Sequence, residues 1–303
     1  MDNSGKVVLI TGGTSGFGRA IAEKMAQQGA QVVITGRSEA RVQETAAQLG
    51  VKGVAADVSR PEDWVRVRDL LEREVASGAD GVLLIPADRE VLSEAVETAA
   101  NTVPVVTMET DMSQDGASGY ISVDNDALGR MLGDIALNGA PEGSSVLLLS
   151  GVSEATGISD RLTAAQEVLE AAGRKVYRCV LRPEESLESV LEGELAALAP
   201  AAVVAFDTST LERTALVLRE KESAPLLYGA GSSAAIAAYL EQGAVTAVVA
   251  RNEFAAGYLA VEALVEVISN HADVTAPPLS FSVVRKENMY DPENQKLLFP
   301  VTR

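Results

Sequence analysis

Residues 81–109, GVLLIPADREVLSEAVETAANTVPVVTME, decide the fold that the sequence predicts. The two apolar runs, GVLLIP and PVVTME, predict β-strands because each is short, aliphatic and bounded by glycine or proline. The stretch between them, REVLSEAVETAA, has apolar residues at helical spacing and predicts an amphipathic helix. A strand, a helix and a strand in this order predict a parallel βαβ unit.

The same alternation extends in both directions along the chain. Strands are predicted at KVVLIT, QVVIT and GVAADV before this segment and at GYISV after it, and a second series of similar size begins after Asp124. Two successive series predict an α/β protein with two doubly wound parallel-sheet lobes that face one another across a cleft. Lobe 1 is expected to take residues 1–124 and 252–280, and lobe 2 residues 125–251 and 281–303, ending in a polar tail.

Composition narrows the classes of function. Apolar residues make up 47% of the chain and aromatic residues only 4%, so the cores are expected to be aliphatic. The net charge of −18 argues against nucleic-acid binding and against anionic membranes. The single cysteine, Cys179, excludes an intramolecular disulfide and a cysteine-rich metal site, and it is expected to be buried. With no signal-like segment and no apolar stretch near the ~20 residues of a membrane helix, a cytoplasmic protein is expected.

A glycine-rich turn follows the first predicted strand. The run TGGTSGFG occupies residues 11–18, between a strand and a helix. Glycines at such a turn allow a phosphate to approach the backbone, and the helix N-terminus adds free N–H groups and partial positive charge. The context on both sides strengthens a motif that alone is weak.

This turn resembles the TGxxxGxG fingerprint of the short-chain dehydrogenase/reductase family, over about residues 5–77. The resemblance implies a Rossmann-type first half of lobe 1 that binds NADP, with an arginine after the second strand for the 2′-phosphate and an aspartate after the third for adenine. The cofactor contacts it implies are Gly12, Ser15, Gly16, Phe17, Gly18, Arg37 and Asp57.

The catalytic half of that family is missing. Its chemistry needs a tyrosine with a lysine four residues later, which lowers the tyrosine pKa for acid–base catalysis. None of the six tyrosines has a lysine at that spacing, and GVLLIPAD occupies the place of the expected Asn-Asn-Ala-Gly stretch. The sequence therefore favours a protein that is not an enzyme.

Residues 78–303 resemble type I periplasmic sugar-binding proteins and the effector domains of LacI-type regulators. The resemblance rests, in order along the chain, on GVLLIPADREVLSEAV, GYISVDNDALGRML, LLLSGVSEATGISDRLTAAQEVL, AVVAFDTSTLERTALVL, LLYGAGSSAAIAAYLEQGAVTAVVARNEF and VVRKENMYDPENQKLLFP. It implies a small polar ligand, a sugar above all, bound in the cleft. The ligand contacts that it implies are Glu109, Arg161, Asp207 and Asn252 or its neighbour Arg251. Asp88 is a further candidate because it follows a strand at the cleft edge, and Phe17 is the one candidate for a stacking ring in the first loop.

Several of these residues have alternative structural interpretations. Asp124 and Asn125 are interpreted as a helix cap and hinge, and Asp207 has the alternative of capping the helix that follows it. Arg161 has the alternative of a surface ion pair with Asp160 or a neighbouring acid. His271, the only histidine, is interpreted as a solvated loop residue, and no metal site is expected.

The sequence also departs from the sugar-binding pattern. YGAGSS stands where many hexose and pentose binders carry Gly-Phe-Asp, so a strong hydroxyl acceptor is missing. The first strand and its loop are replaced by the glycine-rich turn, and one additional βα unit is present. Lobe 1 should therefore have the strand order 3-2-1-4-5 rather than 2-1-3-4-5. The junction near residues 76–80 is consistent with a natural fusion and with an engineered chimera.

Three hypotheses on function follow. The first is non-catalytic binding of a small polar ligand, a sugar above all. The second is an NADP-dependent oxidoreductase or a dinucleotide-binding protein, and the third is an engineered chimeric scaffold with no activity. No helix-turn-helix precedes the lobes, which argues against a DNA-binding regulator.

Overall fold

The structure of the chain is a computed structural model that describes residues 4, 6–10, 12–14, 16–36, 38–56, 61–86, 89–151, 156–182, 185–270 and 274–299. The chain forms two compact units. Unit 1 comprises Met1–Ser122, Glu154–Thr156 and Glu253–Leu279, and unit 2 comprises Val123–Ser153, Gly157–Asn252 and Ser280–Arg303.

Unit 1 contains a seven-stranded parallel sheet. Its strands are β1 Val7–Ile10, β2 Gln31–Gly36, β3 Lys52–Ala55, β4 Gly81–Leu84, β5 Val105–Met108, β6 Gly119–Ile121 and β12 Val274–Thr275. The strand order is β12-β6-β5-β4-β1-β2-β3, so the order 3-2-1-4-5 predicted for the first five strands is confirmed. Strands β4 and β5 are buried along their whole length, as expected for aliphatic strands covered on both faces.

The helices of unit 1 begin and end at the predicted signals. They are α1 Gly16–Gln27, α2 Glu39–Leu49, α3 Pro61–Ala76, α4 Arg89–Ala100 and α10 Glu253–Asn270, with a short 3₁₀ turn at Ser113–Asp115. The side chain of Ser38 caps α2, and Pro61 is the first residue of α3, where its missing N–H costs nothing. Helix α10 packs against α1 and against β4, β5 and β6.

Unit 2 contains a six-stranded sheet in the order β13-β11-β10-β9-β7-β8. The strands are β7 Ser145–Ser150, β8 Lys175–Val180, β9 Ala202–Ala205, β10 Leu226–Ala230, β11 Ala247–Arg251 and β13 Phe281–Val284. All neighbours are parallel except β13, which runs antiparallel to β11. The α/β fold with parallel sheets is thus confirmed, with this one antiparallel edge strand as an addition.

The helices of unit 2 are α5 Asn125–Gly139, α6 Thr156–Ala171, α7 Leu187–Leu198, α8 Thr208–Leu218, α9 Ala234–Gln242 and α11 Pro292–Leu298. The side chain of Asp124 accepts from the N–H of Ala127 at 2.9 Å, which confirms its interpretation as the cap of α5. Helices α5 and α6 approach closely, because a Cβ added at Gly129 would lie 2.3 Å from the carbonyl oxygen of Arg161.

Two elements differ from the sequence-based expectation. The polar tail contains a helix that was not predicted, α11, with Pro292 in its first turn and Leu298 buried. Strand β12 has only two residues, which is too short to show a periodic pattern.

The cores of both units are aliphatic, as the composition predicts, and Phe206 is the one aromatic residue among the largest fully buried side chains of the described residues. Cys179 was expected to be buried, but it is only half-buried. Its side chain packs against the core of unit 2, and it is partly exposed because β8 is an edge strand.

Candidate functional site

The carboxyl ends of the strands in unit 1 carry the first group of candidate residues. Strand β1 pairs with β4, and β4 pairs with β5, so the segments that follow these strands meet at one edge of the sheet. Open α/β sheets bind ligands at this edge. We call it the carboxyl edge of unit 1.

Glu109 follows β5 at this edge in an unusual backbone conformation. Its φ is 66°, and the N–H of Thr110 donates to the carbonyl oxygen of Met108 at 2.8 Å, which closes a three-residue γ-turn around Glu109. A γ-turn with positive φ is rare and strained for a residue that has a side chain. Backbone strain of this kind concentrates at functional sites.

Thr110 holds this turn in place. Its side chain is fully buried, and its hydroxyl donates to the carbonyl oxygen of Pro86, just beyond β4, at 2.7 Å. The hydrogen bond ties the end of β5 to the end of β4 and keeps the half-buried Glu109 at the carboxyl edge. Sequence reasoning missed Thr110, because a threonine after an apolar strand gives no signal of its partner.

The glycine-rich turn lies after β1 at the same edge. Gly12 has a φ of 68° and open space around it, and the N–H of Gly13 donates to the carbonyl oxygen of Thr35 in β2 at 2.8 Å. A Cβ at Gly18 would lie 2.3 Å from the carbonyl oxygen of Gly12, so α1 approaches the turn as closely as backbone permits. Because α1 begins at Gly16, its first amides lie beside an open glycine turn, and these residues fit a phosphate group.

Several predicted site residues lie outside the described residues: Ser15, Arg37, Asp57 and Asp88, together with His271 and the side chain of Phe17.

Arg161 lies in the interior of unit 2. It is 2% exposed, its Nε donates to Asn125 Oδ1 at 2.8 Å, and its Nη1 lies 3.4 Å from the carbonyl oxygen of Phe206. The alternative of a surface ion pair is therefore wrong, because α6 packs against α5 at this position and directs the guanidinium inward. Burial raises the pKa of the neighbouring Asp160, and the positive charge of Arg161 opposes this rise.

The helical pattern of α6 contains a signal for this burial. Gly157, Arg161 and Ala165 are four residues apart along α6, and all three are buried. An arginine on the apolar face of a helix needs polar partners inside the protein, and Asn125 supplies one.

Asp207 lies at the carboxyl end of β9 and caps α8. Its Oδ1 accepts from the N–H of Thr210 at 2.9 Å, and its Oδ2 accepts from the hydroxyl of Thr210 at 2.6 Å. The capping interpretation of Asp207 is therefore confirmed. Gly151, at the end of the neighbouring strand β7, lies close by, since its Cβ would be 2.7 Å from the Thr210 hydroxyl.

The remaining candidates of unit 2 lie at the end of β11. Arg251 is its last residue and Asn252 follows it, and both are partly exposed. Directly after the neighbouring strand β10, Gly231 has a φ of 128°, and a Cβ there would lie 2.2 Å from the hydroxyl of Thr208. The YGAGSS segment is thus packed tightly against the start of α8, which explains a glycine at this place.

The structure thus places Glu109, Gly12 and Gly18 at the carboxyl edge of unit 1, and Asp207, Arg251 and Asn252 at the corresponding edge of the unit 2 sheet. Arg161 lies beneath the end of β9 rather than at its surface. Among the described residues, no cluster of histidine, cysteine and carboxylate side chains is arranged to hold a metal ion, and no helix has the length and apolar character needed to cross a membrane.

Curated relatives of the chain are oxidoreductases that match over a short stretch. The NADP-dependent (R)-specific alcohol dehydrogenase of Lentilactobacillus kefiri is 40% identical over 72 residues, which cover 22% of this chain and 29% of the enzyme. The chain spans about a quarter of the length of the curated relatives it matches. This similarity is therefore partial.

Solved structures match along almost the whole chain. A carbohydrate transporter solute-binding protein from Agrobacterium radiobacter, in complex with D-arabinose, has a TM-score of 0.77 at 18% identity, covering 98% of this chain and 99% of that protein. An ABC transporter solute-binding protein from Agrobacterium vitis, with bound D-fucose, has a TM-score of 0.77 at 19% identity, covering 97% and 99%. At 18% and 19% identity, this structural similarity shows the fold of the chain and nothing further.

The profile of the periplasmic binding protein domain matches residues 35–272. The match begins within β2 and ends beyond α10, so it takes in strands of both units and more than half of the chain. The chain therefore belongs to the periplasmic binding protein family.

Proposed function

We propose that this protein binds a small sugar and does not convert it chemically. The observation that carries the proposal is Glu109, a carboxylate held at the carboxyl edge of unit 1 in a strained γ-turn. A carboxylate accepts hydrogen bonds from neighbouring sugar hydroxyls, and charge-assisted hydrogen bonds are about twice as strong as neutral ones. The solute-binding proteins with bound D-arabinose and D-fucose support a sugar as the ligand class.

Unit 2 has polar groups of its own at the carboxyl edge of its sheet. Arg251 offers hydrogen-bond donors and Asn252 offers both donors and an acceptor at the end of β11. Asp207 already binds Thr210 through both carboxylate oxygens, but a carboxylate has about four lone-pair positions and can still accept from a hydroxyl. Arg161 acts here as a positioning residue that holds the end of β9 through the Phe206 carbonyl.

The test uses the strain at Glu109. The substitution Glu109→Gly should remove a positive-φ penalty of about 1 kcal/mol and so raise the free energy of unfolding, while it removes the carboxylate and abolishes sugar binding. Ala199, at the C-cap of α7 with a φ of 44°, is the matched control. Ala199→Gly should stabilise the protein similarly and leave sugar binding unchanged.

Calorimetry against a panel that includes D-arabinose and D-fucose measures the binding, and urea denaturation measures the stability. Retention of sugar affinity in Glu109→Gly would refute the role of this carboxylate. Failure of every sugar in the panel to bind the unsubstituted protein would refute the function.

A second candidate function, dinucleotide binding, is favoured by the glycine-rich turn. We propose that NADP phosphates bind at the N-terminus of α1 beside Gly12, with Arg37 and Asp57 in the 2′-phosphate and adenine roles that the family resemblance implies. NADP supplies hydride chemistry when bound, but the chain has no tyrosine–lysine pair to use it, so we propose binding without turnover.

A thermal-shift screen with NADP, NAD and common sugars separates these functions. A shift with NADP that Gly16→Asp abolishes, and that Glu109→Gly leaves intact, supports the dinucleotide site. A shift with sugars alone refutes it. No shift with either class supports the third hypothesis, a chimeric scaffold without activity.

A further inference from the structure

Among the described residues, no strand pairs with the outer edge of β8 in unit 2. Strand β8 pairs with β7 over six residues, from Ser145↔Lys175 to Ser150↔Val180, and lies at the end of the sheet. The N–H of Leu181 donates to the carbonyl oxygen of Ser150 at 3.1 Å, which places the odd-numbered amides toward β7. Because a strand alternates with a period of two, Val176, Arg178 and Val180 present their N–H and C=O groups away from the sheet.

The side chains along this edge are basic in an acidic protein. Four cations and no carboxylate occur between Ala171 and Arg182, although the chain has a net charge of −18. Arg178 and Arg182 are exposed, and their guanidinium groups have no carboxylate partner among the described residues. Lys175 lies 5.1 Å over the ring of Tyr177, and Val180 is 47% exposed, so apolar surface alternates with charge.

Two carboxylates lie near Cys179 of β8, and one of them, Glu185, also accepts from the backbone N–H of Arg182 at 2.8 Å. Tyr177 and Cys179 pack against the core cluster of unit 2. Burial, and then the charges of Glu194 and Glu185, raise the pKa of the Cys179 thiol, which places these carboxylates near that residue. Arg178 alternates with Cys179 along the strand and points to the opposite face of the sheet.

We propose that β8 docks an extended acidic peptide as an additional strand of the unit 2 sheet. The main chain of the peptide would bond to the free groups of Val176, Arg178 and Val180, and its acidic side chains would pair with Arg178 and Arg182. Charge complementarity selects this occupant over a second copy of β8, because self-pairing brings the arginines of both copies together. Charged side chains on a long edge strand ordinarily prevent it from pairing with other strands. The competing interpretation is therefore that the arginines of β8 only protect this edge.

The test is fluorescence anisotropy with a labelled peptide of alternating glutamate and valine. Binding should be saturable and should weaken as salt rises, and an alternating lysine–valine peptide should bind at least about tenfold more weakly. Arg178→Glu should weaken binding about tenfold or more, whereas Lys286→Glu should leave it unchanged. Lys286 is an exposed cation after β13, at the other end of the same sheet, and is the matched control.

A backbone variant tests the docking mode. Val180→Pro removes an outward N–H without breaking the β7 ladder, so it should abolish peptide binding while the circular dichroism spectrum is retained. Hydrogen exchange at Val176, Arg178 and Val180 should slow when the peptide binds. Absence of saturable binding, equal affinity for the lysine peptide, or equal losses in Arg178→Glu and Lys286→Glu would show that the charges only protect the edge.

Discussion

Replacing two helical glycines by alanine should change the stability of unit 2 in opposite directions. Gly129 lies in α5, and its Cβ would be 2.3 Å from the carbonyl oxygen and 2.7 Å from the Cα of Arg161 in α6. Both are backbone atoms, so the two helices must separate to admit a methyl group. Gly193 lies in α7, and a Cβ there would meet nothing within 4 Å.

The magnitudes follow from two separate effects. Alanine is about 1 kcal/mol better than glycine inside a helix, so Gly193→Ala should stabilise the protein by about that amount. Gly129→Ala has the same gain, but overpacking against backbone costs about 1–3 kcal/mol. Disturbing the buried hydrogen bond from Arg161 to Asn125 costs about 1–3 kcal/mol more. The net result for Gly129→Ala is a destabilisation of about 1–5 kcal/mol.

Urea denaturation followed by far-ultraviolet circular dichroism measures both variants against the parent protein. Gly133→Ala is an intermediate case, since its Cβ would lie 2.9 Å from the Cβ of Val168 and 3.0 Å from the carbonyl oxygen of Ala165. We expect the order of stability Gly193→Ala, parent, Gly133→Ala, Gly129→Ala. Stabilisation by Gly129→Ala would show that α5 and α6 are not in close contact and would refute the reasoning.

Three further changes test other parts of the structure. Gly18→Ala should lower the urea midpoint more than Gly12→Ala, because only the first places a Cβ against backbone, while the second costs about 1 kcal/mol for positive φ. Arg174→Met should lower the free energy of unfolding by about 2 kcal/mol and so lower the thermal midpoint, because Arg174 donates to three carbonyls at the end of α5. An unchanged thermal midpoint would contradict this. The hydrogen bond from Arg213 lowers the pKa of Glu188 from 4.5 to about 2, so this pair stabilises the protein at neutral pH and loses its effect as pH falls through that range. The urea midpoints of the parent and Arg213→Met should therefore converge as pH falls from 4.5 toward 2, and a constant difference would refute the assignment.

The sequence predicted the sheets well because burial on both faces leaves a plain signal. Strands such as β4 and β5 are unbroken aliphatic runs between turn residues, and the additional βα unit fixed the order of the first five strands. Strand β12 could not be predicted, since two residues show no period and its partner β6 lies far away in sequence. Helix α11 was missed although Asp291 and Pro292 mark its start, because its polar composition obscured the buried Leu298.

The candidate site was predictable in position but not in detail. Glu109 and Asp207 were implied as ligand contacts by the resemblance to type I periplasmic sugar-binding proteins, and the structure places each of them just after a parallel strand. The γ-turn at Glu109 depends on the hydrogen bond between Thr110 and Pro86, which are distant in sequence. Whether Asp207 caps a helix depends on the orientation of Thr210, which the pattern does not encode.

The topology of unit 1 explains why two different resemblances lead to one edge. The chain leaves β1 toward β2 on one side, and it leaves β4 toward β5 on the other, so the point where the strand order reverses lies between β1 and β4. Ligands of open α/β sheets bind at such a point, whether they are sugars or dinucleotides. Topology therefore cannot decide between the candidate functions, and the decision rests on side chains. A strained carboxylate after β5 is useful to a ligand with hydroxyl groups and would repel a phosphate, and for this reason Glu109 favours the sugar.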